Sequence, residues 1–351
     1  MHINLKIEED QMKKFDKYIL GIDVGGTYTN LGITGVYKDK PVLLLSTVFE
    51  TKQLASLSTA IIETIQYIEE RYSIKVREAG IGAAGIVTGK KAELTHIPWD
   101  IDLDEITKST GLSKIVLLND FQTIGYGVNI LKKEDIVEVK PSREIEGYPN
   151  KAVVGAGTGL GKTILVYDRD RKIYHPIHSE GGHSDFPVQN REELELIEFI
   201  QNKIKTDKNI CYEELLSGRG IEYIYSFIRE TRNISDTIYT REIDETDEKT
   251  PLISKYRKVD ETCRETFKFF IKFYGRCIKN FILETMARGG IYIAGGIAYK
   301  NRDIFQMKEF IDEIHNSIYR EKLLRDTPVY LIVNQDISLL GASLAVLYME
   351  E

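Results

Sequence analysis

Apolar residues alternate with small or polar ones from Tyr18 to Val24 (YILGIDV), and the stretch is rich in β-formers, which predicts a strand. Gly25 and Gly26 follow, and Thr29 to Val36 reads as a second strand, so the stretch is a hairpin with a glycine tip. A third strand is expected at 42–48. Leu54, Leu57, Ile61, Ile65 and Ile68 recur at helical spacing and predict an amphipathic helix over 53–71. A strand at 76–82 runs into Gly82-Ala83-Ala84-Gly85, and Leu94 to Trp99 reads as a loop. An apolar strand at 113–118 ends on Asn119-Asp120, and the helical FQTIGYGVNIL comes next.

The second half repeats the opening design. Lys151 to Asp168 is a strand, a glycine-rich tip and a second strand, which suggests two related halves. His178 to Pro187 (HSEGGHSDFP) is a loop. Helices are expected from Glu192 and over 221–229, and the polar, acidic 231–257 reads as a mobile insertion. Val259, Cys263, Phe267, Phe270, Tyr274, Cys277 and Phe281 form one stripe, predicting a long helix over 258–287 with both cysteines in the core. A strand at 291–294, a helix over 303–319, a strand at 328–333 and a helix over 337–349 complete the chain. The expected division is a polar extension at 1–17, a small α/β domain from 18–131 with 337–351, and a large α/β domain at 132–336.

Composition narrows the class. At 351 residues two domains are expected, and 42% hydrophobic content supports sizeable cores. A net charge of −7 argues against nucleic acid as a partner. No run approaches a membrane span, and the first residues carry no apolar core of a signal peptide. Cys211, Cys263 and Cys277 form no CxxC pair and no zinc pattern. These features point to a soluble cytoplasmic protein without a membrane partner. Residues 1–17 are too few for a helix-turn-helix domain, which weighs against a transcription regulator.

The glycine tips carry the first candidate chemistry. Backbone N–H groups at Gly25 and Gly26 can cradle phosphate oxygens, and Thr27 adds a donor. Asp23 can hold Mg²⁺, through water, because that ion keeps much of its hydration shell. An ordinary Gly-Gly hairpin has the same pattern. Asn119 and Asp120 stand at the carboxyl end of a buried strand, where α/β sheets bind ligands, and either also suits a helix N-cap. Glu180 and His183 suit a ligand with many hydroxyls, whereas a metal would need a third nearby ligand. Glu213 is compatible with a surface charge. Gly295-Gly296 would let a flat purine ring lie against backbone. Residues 156–163, AGTGLGKT, imitate a Walker A loop. That loop must open a helix, and here a β-rich run follows Lys162, so the P-loop reading is rejected.

Together these stretches resemble the bacterial-type glucokinase family of the hexokinase and actin-like superfamily, from about 18 to 348. The motifs are DVGGT (23–27), LLNDF (117–121), GAGTGLG (155–161), EGGHSDF (180–186), ELLSGRG (214–220), IAGGI (293–297) and TPVYLIV (327–333). Each is weak alone and their order is specific. The resemblance implies two ribonuclease H-like α/β domains around a cleft that closes on glucose and ATP. It implies Asp120 as catalytic base, with Asn119, Glu180, His183 and Glu213 as sugar ligands. Asp23 with Gly25, Gly26 and Thr27, and Gly157, Thr158 and Gly159, match its phosphate loops, and Gly295 and Gly296 its adenosine motif. A homodimer is a further expectation. The cysteine-zinc cluster of the repressor-type sugar kinases is missing. Two departures bear on the substrate: Tyr28 and Asn30 replace the family's Asn and Arg after the GGT, and Thr95-His96 replaces its Thr-Asn.

The expected reaction is transfer of the γ-phosphoryl group of ATP to the primary hydroxyl of glucose, the first step of glycolysis. Phosphoryl transfer needs positioning and charge neutralisation. A kinase for another hexose or an N-acetylhexosamine is one alternative, and a non-enzymatic sugar sensor on the same fold is another. The intact Asp120 and both phosphate loops argue against the sensor.

Overall fold

A computed structural model describes residues 2–94, 97, 99–141 and 146–349. The chain divides into two compact units, one of residues 1–135, 165–178 and 334–351, the other of 136–164 and 179–333.

The first unit is built on a six-stranded sheet. Its strands are β1 (His2–Leu5), β2 (Lys17–Val24), β3 (Tyr28–Tyr37), β4 (Lys40–Glu50), β5 (Glu78–Ala83) and, further along, Lys114–Asn119. Between these last two lie β6 (Gly85–Thr88), β7 (Lys91–Leu94) and β8 (Ile101–Asp102), a small antiparallel sheet, which makes Lys114–Asn119 β9. The large sheet runs β1-β4-β3-β2-β5-β9, with β2, β5 and β9 parallel. Helix α1 (Leu57–Tyr72) buries Leu57, Ile61 and Ile68. Helices α2 (Leu103–Thr110) and α3 (Asp120–Gly127) follow.

The N-terminal residues are not an extension. β1 pairs antiparallel with β4, Met12 is fully buried, and a side chain at Gly35 would collide with the Phe15 ring. An edge strand buries little of its own surface, so its pattern reads as polar.

The other six-stranded sheet is made of β10 (Ile136–Lys140), β11 (Lys151–Ala156), β12 (Leu160–Asp168), β13 (Ile173–Ser179), β14 (Ile291–Ala294) and β15 (Val329–Ile332), in the order β10-β15-β14-β11-β12-β13. The run β13-β12-β11-β14-β15 repeats the order β4-β3-β2-β5-β9, which makes the two halves topological copies. Residues 165–178, the end of β12 and all of β13 except Ser179, group with the first unit, whereas the sequence division kept them in the large domain.

Helices α4 (Arg191–Ile204), α5 (Gly218–Thr231), α6 (Ile238–Asp244), α7 (Lys249–Tyr256) and α8 (Glu261–Thr285) follow β13, and α8 packs on β11 with α5 and α7 against it. The expected mobile insertion is helical. α6 and α7 bury Ile243, Ile253 and Tyr256, and Thr250 Oγ1 donates to the Gly218 carbonyl at 2.8 Å. Three anchors in a charged background are too sparse to show a period. Cys263 and Cys277 are both fully buried in α8. α9 (Gly296–Lys300), α10 (Lys308–His315) and α11 (Glu321–Asp326) follow. The helix expected over 303–319 is instead a 3-10 turn at Arg302–Gln306 and α10, separated by Met307 in an extended conformation.

The last helix, α12 (Ile337–Tyr348), returns to the first unit and lies directly on its sheet. Side chains at Gly21 and Gly80 would overlap the carbonyls of Leu339 and Ala342, and one at Gly341 would overlap the Thr123 carbonyl in α3. Small residues at these crossings let backbones approach, and they seat α3 and its first residue, Asp120.

Candidate active site

In the first unit the candidate residues collect at the carboxyl ends of the parallel strands. Val24 is in register with Ala83, and Ala83 with Asn119. Asp23, the tip 25–27, Asn119 and Asp120 therefore share one edge of the sheet, where side chains and helix N-termini face a ligand. Asn119 is the N-cap of α3: its Oδ1 accepts from Phe121 N at 2.9 Å, and Gln122 Oε1 closes the capping box on Asn119 N at 3.3 Å. Its Nδ2 donates to the Gly85 carbonyl at 3.4 Å. Capping fixes the start of α3 and with it the direction of the half-buried Asp120, whose Oδ1 also accepts from Phe121 N at 2.9 Å.

Asp23 is half-buried, and burial raises its carboxyl above the ordinary value while a hydrogen bond from Ser338 Oγ (2.9 Å) opposes the shift. Ser338 lies in the first turn of α12. Nothing in the local pattern around Ser338 announces this role. At the tip, Gly25 N donates to the Tyr28 carbonyl at 3.0 Å, and Thr51 Oγ1 donates to the Gly25 carbonyl at 2.7 Å. Neither glycine has a left-handed φ. A side chain at Gly26 would meet nothing within 4 Å, so that face is open to an approaching group. Tyr28 is exposed, while Asn30 pairs with Asp23 across the hairpin. Thr95 and His96 lie outside the described residues.

The second unit brings Glu180, His183, Glu213 and the tip Gly157-Thr158-Gly159 onto one bonded frame. Leu160 N donates to Glu213 Oε2 at 2.9 Å, and Glu213 N donates to the Gly182 carbonyl at 3.0 Å. Glu180 Oε2 and His183 Nε2 are 3.7 Å apart, both exposed. His183 Nδ1 lies 4.0 Å from Cys211 Sγ, a neighbour sequence reasoning did not identify. Burial, and then Glu214, push the Cys211 thiol up to about 11. Gly157 N donates to the Gly159 carbonyl at 2.8 Å, closing the tip, and Gly218 N donates to the Gly157 carbonyl at 2.9 Å.

Gly295 and Gly296 open α9 at the end of β14, where Gly155 of β11 is in register with Ala294. Gly295 has φ +95°, and a side chain there would lie 2.6 Å from the Ala156 carbonyl oxygen. Only glycine suits that position. Gly296 is open.

Lys162 lies inside β12, which continues to Asp168, so no helix opens after it and the Walker A context is absent.

Among the described residues, no group of three or more His, Cys, Asp or Glu side chains is arranged to hold a metal ion. Asp23 fits the other mode, a single carboxylate holding Mg²⁺ through water alongside substrate phosphates. No helix among the described residues is long and apolar enough to cross a membrane.

Two copies of one α/β plan, each with a glycine tip at the carboxyl end of its central strands, define the class of the actin-like sugar kinases. The glucokinase family model matches residues 20–349, and the chain belongs to that family. A glucokinase of Nostoc punctiforme is 29% identical over 340 residues, covering 93% of this chain and 98% of the relative. In fold, the chain is similar to the glucokinase of Balamuthia mandrillaris solved with glucose (TM-score 0.79, 20% identity, 94% of this chain and 93% of that one). It is also similar to a ROK family glucokinase of Streptomyces griseus solved with glucose and AMPPNP (TM-score 0.61, 20% identity, 93% and 98%).

Proposed function

We propose that this chain transfers the γ-phosphoryl group of ATP to the primary hydroxyl of glucose, giving glucose 6-phosphate and ADP. The observation that carries it is the bonded frame of the second unit. There the Glu213 carboxylate is tied to the glycine tip and its backbone to the Glu180–His183 turn.

In this reading Glu180, His183 and Glu213, with Asn119, hold the sugar hydroxyls, and binding becomes orientation. The hydroxyl oxygen attacks the γ-phosphorus in line, Asp120 accepts its proton, and ADP leaves. The amide of Gly26, Thr27, and the backbone of Thr158 and Gly159 receive phosphate oxygens, while the Gly25 and Gly157 N–H groups, bonded to the Tyr28 and Gly159 carbonyls, shape the two tips. Gly296 leaves backbone open for the adenosine, and Gly295, packed on the Ala156 carbonyl with φ +95°, makes the turn that places it there. Asp23 would hold Mg²⁺ through water, and that ion would neutralise phosphate charge.

A coupled assay with ATP, Mg²⁺ and a panel of hexoses tests this reading. Glucose is expected to give the highest kcat/KM, with mannose, fructose and N-acetylglucosamine behind it. A higher value for another sugar reassigns the substrate, and no turnover with any leaves the sensor. A cytoplasmic setting is part of the proposal, supported by free thiols at Cys211, Cys263 and Cys277. So is a homodimer, on the family's precedent, and light scattering of the purified protein tests it.

A further inference from the structure

We propose that Lys162 is a positioning residue for the sugar side of the site, its caged ammonium holding the Glu180–His183 turn and the Tyr212-Glu213 segment in one frame. The proposal rests on assigning Glu180, His183 and Glu213 to the sugar.

Lys162 is 2% exposed. Strand alternation puts it on the same face of β12 as Leu160, the residue whose N–H binds Glu213. Its Nζ lies 4.9 Å from the ring centroid of Tyr212 and 5.1 Å from that of Phe281, both at cation–π range. Cys277 is a third neighbour: burial pushes its thiol up, and the Lys162 charge pulls it back. Among the described residues no carboxylate lies within ion-pair distance of Lys162. Burying an ammonium without a counter-ion is costly, so the two rings supply the attraction that holds it.

The cage touches both arms of the candidate sugar set. A side chain at Gly181 would lie 3.1 Å from Lys162 Cδ and 3.6 Å from Nζ, so the glycine after Glu180 rests on the lysine. Tyr212, whose ring faces the ammonium, donates its N–H to the Ser184 carbonyl at 3.0 Å, and the next residue, Glu213, donates to the Gly182 carbonyl at 3.0 Å. Asn280 Nδ2 holds the far side of that ring through the Tyr212 hydroxyl at 2.7 Å. A ring that moves carries Glu213 with it, and a lysine that moves releases Gly181. The lysine that imitates a Walker A residue thus serves the acceptor side of the site, not the phosphates.

The test measures glucose and ATP KM, kcat, melting temperature and calorimetric glucose binding without nucleotide, in Lys162→Met, Tyr212→Leu and Glu213→Gln. Lys162→Met keeps the length and removes the charge. It is expected to weaken glucose by about tenfold in both KM and Kd, the scale of a partly desolvated cation–π contact. ATP KM should stay within about twofold and kcat within about tenfold. Tyr212→Leu should reproduce the glucose defect, and it keeps the proposal testable if Lys162→Met does not fold. Unchanged glucose affinity in either folded variant, or equal rises in both KM values, overturns the proposal. Glu213→Gln separates the two levels. If it leaves glucose binding unchanged, the sugar assignment fails and this proposal with it. If it weakens glucose and Lys162→Met does not, only the role of Lys162 fails.

Discussion

Glu213 Oε2 accepts a 2.9 Å hydrogen bond from the backbone N–H of Leu160, the first residue after the glycine tip 157–159. The carboxylate is mostly buried, with 20% of its side chain exposed, and Arg219 approaches its other oxygen at 3.9 Å. A residue expected to touch sugar is therefore also a strut of a loop expected to touch phosphate.

Gly159→Val is expected to lower kcat/KM for both glucose and ATP by at least about a hundredfold, the scale on which misplaced reacting groups cost activity. A side chain at Gly159 would lie 2.6 Å from Glu213 Oε2 and push the carboxylate off Leu160. Gly157→Ala is the contrast. A side chain there meets nothing within 4 Å, so the variant should fold and bind glucose normally while ATP KM rises. Steady-state kinetics in both substrates, with melting curves, check the pair.

Asp120→Ala should lower kcat by roughly 10²–10⁴-fold, the range for loss of a general base, with glucose binding retained in weakened form. Asn119→Ala should instead cost about 1 kcal/mol of stability, because it removes the N-cap of α3. Near-normal turnover of folded Asp120→Ala removes the base assignment.

Asp23→Asn should be more stable and less active than the parent. Burial raises the Asp23 carboxyl above 3.8, with Ser338 only partly opposing the shift. A raised acid favours the folded state below its unfolded value and loses that contribution as pH rises through the folded one. The melting-temperature advantage of Asp23→Asn should therefore open as pH climbs from 3.8 through the raised value and hold at neutrality. Thermal melts across that range, beside Mg²⁺-dependent turnover, provide the measurement.

Glu193→Gln should destabilise the second unit by about 3–5 kcal/mol, the cost of breaking a buried ion pair. Burial would raise the Glu193 carboxyl, but Arg276 (2.7 Å), Lys272 (2.9 Å) and the Gln189 N–H (2.9 Å) hold it down at about 2. Arg276 is fully buried and also bonds Glu313 at 3.1 Å. A depressed carboxyl adds stability above its unfolded value of 4.5, and that contribution is lost as pH falls toward 2. Acid denaturation followed by circular dichroism should show the parent losing its advantage over Glu193→Gln across that window.

The sequence by itself determined what repeats over a short window. Both glycine-tipped hairpins, the buried stripe of α8 with Cys263 and Cys277, and the Asn119 cap lie where period, turn chemistry and strand ends place them. Burial on one face of a local element leaves a period in the residues themselves. Tertiary structure alone decided the rest. β1 joins the sheet through an edge whose residues stay mostly exposed, and α6 and α7 are held by three scattered apolar anchors. Asp23 takes its partner from Ser338, 315 residues away, and Lys162 finds its rings on Tyr212 and Phe281. Such partners are chosen when separate elements pack together, and a pairing made across the chain leaves no period in either of the stretches that form it.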